Sequence, residues 1–197
     1  MGHRIHVRTG GVDDLAAVLR FATMVPELPA PRRLLGRQPA PDAVTASQRE
    51  RYRRLLEDPE RHVLLAVDDD GTAVGMGVVA VDRAGQLLDI AAARLTHLVV
   101  DRRHRRRGAG RALIGAAAAF AELHDIEHVT VGVSPTSREG NRFLARLGFM
   151  PVLVRRVATV QVLRRHLVVP DIGLDIRAGR PRPRRRRAPL GRREGVA

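Results

Sequence analysis

A strand, a glycine-containing loop and a long helix follow one another between residues 98 and 113, and this order constrains the fold more than any other feature. Residues 98–100 are Leu-Val-Val, an apolar stretch typical of a buried strand. Apolar residues at helical spacing then extend from residue 108 to residue 123, and a second strand is predicted over residues 129–133. A strand, a helix and a strand in succession predict a parallel crossover within one sheet.

A predicted hairpin precedes this crossover. Strands are expected over residues 62–67 and 73–82, and the Asp-Asp-Asp-Gly sequence between them favours a turn because Asp and Gly accept a positive φ. Together, hairpin and crossover predict an α/β fold with a mixed, mostly antiparallel sheet flanked by helices. The other predicted elements are a strand at residues 4–8, helices at 15–22, 44–57 and 138–147, a last strand at 151–157 and a short helix at 160–167.

The composition excludes several classes of protein. With 197 residues, of which 44% are hydrophobic, the chain can build a folded domain and is not a disordered protein. No apolar run approaches the roughly 20 residues that a membrane helix needs, and the first residues lack the apolar core of a secretory signal. The absence of cysteine excludes disulfides, thiolate metal sites and a cysteine nucleophile. We therefore expect a soluble cytoplasmic protein that does not bind a membrane.

The net charge of +14 is concentrated in two segments. The chain has no lysine, so all 35 basic residues are arginine, and nine of them lie between residues 177 and 193 with no acid among them. We expect a folded domain over residues 1–170 and a disordered Arg/Pro-rich tail over residues 171–197. Residues 177–193 predict weak, salt-sensitive binding to nucleic acid or an acidic partner, with a merely solubilising terminus as the alternative.

The second basic segment, residues 102–107, lies directly before Gly108 and Gly110. Free N–H groups at the start of a helix bind anions, and glycine lets a phosphate approach the backbone. The segment therefore predicts a pyrophosphate site whose arginines attract phosphates, with nucleic-acid binding as the alternative. A P-loop is excluded because it needs lysine, and a Rossmann fingerprint is excluded because residue 113 is leucine.

Two motifs resemble those of one enzyme family. Arg105-x-x-Gly108-x-Gly110 resembles the acetyl-CoA loop of the GNAT N-acetyltransferase superfamily, and Arg146-Leu147-Gly148-Phe149 is similar to its second signature. The predicted element order matches the family as well. The resemblance implies a sheet splayed between its fourth and fifth strands, with acetyl-CoA in the gap. It also implies direct transfer of the acetyl group to a primary amine, with no metal.

The resemblance also implies roles for individual residues. The backbone of the fourth strand would pair with the pantetheine arm and polarise the thioester carbonyl through one N–H group. The next loop and the start of its helix would hold the pyrophosphate. The acetyl-CoA-binding residues implied in this way are Leu98, Val99, Val100, Arg105, Arg106, Arg107, Gly108, Ala109, Gly110 and Arg111, with Ser137 at the position of a family asparagine.

The candidate catalytic groups depart from the family pattern. Leu144 occupies the position of the tyrosine that usually acts as general acid, and the one tyrosine, Tyr52, is interpreted as a half-buried helix residue. No glutamate occurs on the fourth strand, so His97 is the candidate base, with Asp89 and Thr96 as weaker candidates. Strand alternation puts His97 on one face with Val99 and Ala93, unless a bulge intervenes. A structural histidine is the alternative role.

Several properties stay open at this point. The acceptor is expected to be a small-molecule or peptide amine, and neither residues 26–59 nor residues 83–89 carry a recognised signature for it. A weakly active or inactive acyl-CoA-binding domain, recruited to nucleic acid or an acidic partner by its basic tail, is the competing function. His124 and His128 are four residues apart, but no third ligand is evident, so no metal site is expected. A homodimer is left open.

Overall fold

The computed structural model describes residues 4–24, 45–82 and 90–152, together with Ala158 and Leu163. The chain divides into two compact units, Met1–Val157 and Ala158–Ala197, and all elements named here belong to the first. The strands are β1 (His6–Thr9), β2 (Arg61–Val67), β3 (Ala73–Asp82), β4 (Ala92–Val100) and β5 (His128–Val131). The helices are α1 (Leu15–Met24), α2 (Ala46–Glu57), α3 (Ala109–Leu123) and α4 (Arg138–Ala145).

Some predictions fall on the rest of the chain. Part of the candidate acceptor segment at residues 26–59, namely 26–44, lies outside the described residues. Residues 83–89 with Asp89 and the tail at residues 171–197 lie outside them as well. The same holds for the predicted last strand beyond Val152 and, except for Leu163, for the predicted helix at residues 160–167. The domain boundary at residue 170 therefore stays a prediction.

The sheet has the strand order β1-β2-β3-β4-β5. Neighbouring strands are antiparallel except β4 and β5, which are parallel, so the predicted mixed, mostly antiparallel sheet is confirmed. β4 and β5 pair only from Ala92–His128 to Leu95–Val131. β5 ends at Val131, two residues before the predicted end, whereas β4 continues to Val100 without a β5 partner. The predicted splay between the fourth and fifth strands is confirmed.

Helices cover both faces of the sheet. On one face, α1 and α2 bury Phe21 and Tyr52 against a cluster that includes Leu65 and Val99. On the other face, α3 packs through Leu113 and a row of buried alanines, whose small side chains let the helix approach the strands closely. Tyr52 is only 5% exposed, so the expectation of a half-buried tyrosine is wrong: α1 and β2 enclose its ring together with α2.

A β-bulge interrupts β4 beside the splay. Met76 pairs with Val99 and Val78 pairs with Thr96, so two residues of β4 lie opposite one residue of β3. His97 is the first of these two, and its φ of +53° lies in the left-handed region. In a regular strand, Ala93 and Val99 would point to the same face of the sheet. The bulge changes this alternation: Val99 packs with the α1/α2 cluster, whereas Ala93 packs with the α3 cluster. His97 therefore does not share a face with both Val99 and Ala93, because the bulge named as the exception to this prediction is present.

Most boundaries follow the predictions to within two residues. β3 has the predicted bounds, and Gly71 in the turn before it has a φ of +75°. α4 ends at Ala145 rather than at residue 147, and Gly148 follows with a φ of +88° that favours glycine. In the described ranges, no helix is both long enough and apolar enough to cross a membrane.

Candidate active site

The gap between β4 and β5 exposes backbone at the end of β4. Leu98, Val99 and Val100 form this end, and all three lie beyond Leu95, the last residue that pairs with β5. The side chains of Leu98 and Val100 pack toward α3, whereas Val99 packs toward α1 and α2. Backbone groups that point away from β3 here have no partner strand in the described part of the chain. An extended ligand can therefore pair with β4 as another strand would.

The start of α3 offers a site for an anion. Gly108 is the N-cap residue, its φ is +92°, and no side chain caps the helix. The N–H groups of Ala109, Gly110 and Arg111 precede the first intrahelical donor, Ala112, which bonds to the Gly108 carbonyl at 2.9 Å. A Cβ at position 108 would meet no atom within 4 Å, so the space above this residue is open. Unpaired N–H groups and the helix dipole attract a phosphate there.

The loop arginines surround this helix start. Arg105, Arg106 and Arg107 are exposed, as is Arg111 in the first turn of α3. Asp101 holds the loop, since its N–H donates to the Val74 carbonyl at 2.9 Å and its carboxylate accepts from the backbone N–H of Arg103 at 2.9 Å. The structure thus brings the predicted residues of the loop together at one end of the gap.

An ion pair connects this loop to α4. The Arg105 Nη1 atom donates to the Glu139 Oε2 atom at 3.1 Å, although the two residues are 34 positions apart. Glu139 lies in the first turn of α4, where an acidic side chain is favourable to the helix dipole. Sequence reasoning missed Glu139, and no local motif marks it.

We expect Glu139→Gln to raise the affinity for CoA about two- to fivefold, the size of a typical exposed ion-pair effect. The substitution frees Arg105 and removes a carboxylate that would repel the phosphates of CoA at the predicted site. Calorimetric titration with CoA measures the change. Glu127→Gln is the matched control, because Glu127 precedes β5, whose first residue pairs with Ala92 at the end of β4 far from the loop. Equal affinity changes in both variants, or a weaker affinity in Glu139→Gln, would contradict this expectation.

Ser137 has a capping role in this structure. Its hydroxyl accepts a hydrogen bond from the N–H of Gly140 at 3.2 Å and so caps α4. The Asn141 amide reinforces the turn by donating to the carbonyls of Ser134 and Ser137 at 3.0 and 2.7 Å. Leu144 is buried at 6% exposure and offers no proton. Neither position supplies a titratable group to the gap.

His97 lies on the α2 side of the bulge. Its ring meets the Tyr52 ring edge to face, with the centroids 6.5 Å apart, and its Nδ1 atom is 3.1 Å from the Thr96 hydroxyl. Burial lowers the pKa of His97 below 6.5, and the positive charges of Arg51 and Arg61 lower it further. The imidazole is therefore neutral near pH 7 and can accept a proton. Thr96 donates its hydroxyl to the Val78 carbonyl at 3.3 Å.

Comparison with protein families identifies the fold and its class of activity. The model of the acetyltransferase (GNAT) family matches residues 28–149, more than half of the chain. The chain belongs to the GNAT acetyltransferase family. It is therefore an acetyl-CoA-dependent N-acetyltransferase, as the two motifs predict. A search of curated proteins finds no significant match.

Solved GNAT structures share this fold at low sequence identity. An aminoglycoside 6'-N-acetyltransferase, AAC(6')-Ih from Acinetobacter baumannii, is 15% identical with a TM-score of 0.60, over 79% of this chain and 97% of that one. A ribosomal-protein-alanine N-acetyltransferase from Brucella melitensis biovar Abortus 2308 is 17% identical with a TM-score of 0.58, over 79% and 99%. The aminoglycoside N-acetyltransferase AAC(6')-Iy, solved in complex with CoA, is 16% identical with a TM-score of 0.61, over 81% and 96%.

The histidine pair four residues apart has separate surroundings. His124 follows the end of α3, and its Nδ1 atom is 2.8 Å from the Phe120 carbonyl oxygen. His128 begins β5. Within the described ranges, no group of three or more His, Asp or Glu side chains is arranged to hold a metal ion.

Proposed function

We propose that this GNAT protein transfers the acetyl group of acetyl-CoA to a primary amine by direct attack, with His97 as the general base. The observation that carries the proposal is the open gap between β4 and β5, next to the uncapped start of α3. Acetyl-CoA fits these residues, because it has an extended arm for the end of β4 and a pyrophosphate for the Gly108 loop. When bound, it supplies an activated thioester.

His97 is suited to its proposed role by its position and its protonation state. It lies in the bulge of β4, one residue before Leu98, and is neutral near pH 7. His97 accepts the proton that the acceptor amine loses as the new C–N bond forms and the C–S bond breaks. An N–H group at the end of β4 would polarise the carbonyl. The departing thiolate, with an ordinary pKa of about 8.5, needs little help from an acid, which is consistent with leucine at position 144.

The acceptor is proposed to be a primary amine of a small molecule or a peptide. The solved relatives named above act on aminoglycosides or on a ribosomal protein, and these compounds define the first amines to test. A panel of amines with acetyl-CoA, read by a thiol reagent, measures the reaction directly. The chain contains no cysteine, so all thiol released comes from CoA. Turnover of no amine on a broad panel would contradict the proposed activity.

The competing function is an acyl-CoA-binding domain with little activity, recruited by its basic tail. Leucine at position 144 and the arginines of residues 177–193 favour it. Calorimetry and the amine panel separate the two functions: binding of acetyl-CoA without turnover supports the competing one. Failure of both acetyl-CoA and CoA to bind at near-millimolar concentration would exclude both. A cytoplasmic location and a homodimer stay predictions.

Removing the tail is expected to weaken binding to polyanions such as heparin and to leave other properties unchanged. Truncation after Ile176 removes nine arginines and one glutamate, and the net charge falls from +14 to about +6. We expect acetyl-CoA affinity and the melting temperature to stay the same. Elution from heparin should move to a lower salt concentration, because fewer counterions are released on binding. Elution of both forms at the same salt concentration would show that the tail is not the element that binds polyanions such as heparin.

A further inference from the structure

The hydroxyl of Thr96 makes two contacts that bear on the tautomer of His97. Its Oγ1 atom lies 3.3 Å from the Val78 carbonyl oxygen and 3.1 Å from the Nδ1 atom of His97. A carbonyl oxygen can only accept a hydrogen bond, and a hydroxyl has only one hydrogen. Both contacts are hydrogen bonds only if Thr96 donates to Val78 and His97 Nδ1–H donates to Thr96.

We propose that Thr96 is a positioning residue that keeps the hydrogen of neutral His97 on Nδ1, so that Nε2 carries the lone pair that accepts the proton of the acceptor amine. This inference rests on the proposed function of His97 as the base. A neutral imidazole has one N–H and one acceptor nitrogen, and the hydrogen bond at one nitrogen sets the role of the other. Thr96 acts only through His97.

The bulge explains how two adjacent side chains come to meet. In a regular strand, neighbouring residues point to opposite faces of the sheet and their side chains do not touch. At the bulge, the left-handed φ of His97 turns its side chain away from this alternation. Thr96 stays in register with Val78, which keeps its hydroxyl beside the Val78 carbonyl.

The other neighbours of His97 do not compete for Nδ1. The Tyr52 ring packs edge to face against the His97 ring. The charged groups that act on His97 are the cations Arg51 on α2 and Arg61 on β2. Among the described residues, no carboxylate forms a hydrogen bond with His97. The Thr96 hydroxyl is therefore the group that orients this ring through a hydrogen bond.

The tautomer can be observed without any reaction. Two-bond proton–nitrogen correlation spectra of the labelled full-length protein, recorded at about pH 8, where His97 is neutral, distinguish Nδ1–H from Nε2–H rings. His97→Gln identifies the His97 signals by their loss. We expect the wild-type protein to show the Nδ1–H form. Thr96→Val keeps the shape of the side chain and removes its hydroxyl, so the His97 signals of this variant should shift toward the Nε2–H form. The signals of Thr96→Ser should resemble those of the wild type.

Turnover gives the second measurement. We expect Thr96→Val to lower kcat about tenfold, with the KM for acetyl-CoA unchanged and with Thr96→Ser near the wild-type rate. An Nε2–H ring in the wild-type protein would overturn this inference, and this measurement does not depend on whether Thr96→Val folds. An unchanged tautomer in folded Thr96→Val would overturn it as well. The absence of turnover in the wild type would instead overturn the proposed function, because the tautomer is read without substrate.

Discussion

Replacing His97 by glutamine is expected to lower kcat by about 100-fold or more, the usual contribution of a general base. Glutamine has a similar size but cannot accept the proton of the acceptor amine. Affinity for CoA should stay the same, because His97 precedes the residues proposed to hold the arm and the pyrophosphate. Steady-state rates from thiol release, together with a calorimetric titration of CoA, measure both quantities.

A second histidine provides the control. His62 on β2 contacts Phe120 on the α3 side, with the ring centroids 5.2 Å apart, so it lies on the opposite face from Tyr52. His62→Gln should leave kcat within about twofold of the wild-type rate, since it removes no proposed catalytic group. An undiminished rate in His97→Gln would show that His97 is a structural histidine and that the base is another group.

The lowered pKa of His97 also predicts how pH affects rate and stability. Because its pKa is below 6.5 in the folded protein, kcat/KM should be level near pH 7 and fall at more acidic pH. Below pH 6.5 the unfolded chain binds the proton more readily than the folded protein does. The stabilising contribution of His97 is complete above its pKa in the unfolded chain. This contribution is lost as the pH falls through its pKa in the folded protein. Acidification should therefore destabilise the wild type more than His97→Gln, as thermal melts would show.

Gly110→Glu is expected to weaken CoA binding by more than tenfold, which corresponds to about 1.4 kcal/mol or more. The substitution puts a carboxylate and a longer side chain into the first turn of α3, where the pyrophosphate is proposed to lie. Steric exclusion and repulsion between like charges act in the same direction. Calorimetry with CoA measures the loss.

The packing of Gly110 requires a matched variant. A Cβ at this position would lie 3.3 Å from the Cζ atom of Phe143, so any side chain displaces that ring slightly. Gly110→Ala displaces the Phe143 ring in the same way but introduces no carboxylate. We expect it to weaken CoA binding by less than about threefold. The difference in CoA affinity between the two variants measures the effect of the carboxylate and of the longer side chain that carries it. Unchanged affinity in a folded Gly110→Glu protein would mean that the phosphate site lies elsewhere.

Local sequence signals were sufficient for the hairpin and for the loop before α3. The turn at residues 68–71 and the strand Ala73–Asp82 were predictable because turn residues and apolar runs act over a few positions. Gly108 and Gly110 marked the start of α3 for the same reason, since a positive φ and an uncapped helix start are properties of the local backbone. These elements, together with the motifs Arg105-x-x-Gly108-x-Gly110 and Arg146-Leu147-Gly148-Phe149, were enough to predict the family fold.

Contacts between distant segments were decided only by the tertiary structure. Strand alternation has a period of two, and it could not reveal that one extra residue in β4 turns His97 toward Thr96 and Tyr52. The pairing of Arg105 with Glu139 depends on how α4 lies beside the loop before α3, and no local pattern specifies this placement. The sequence by itself therefore determined the elements and the glycine loop before α3, which is proposed to hold the phosphates. The surroundings of the candidate base were decided by packing, because they join residues from three strands and a helix.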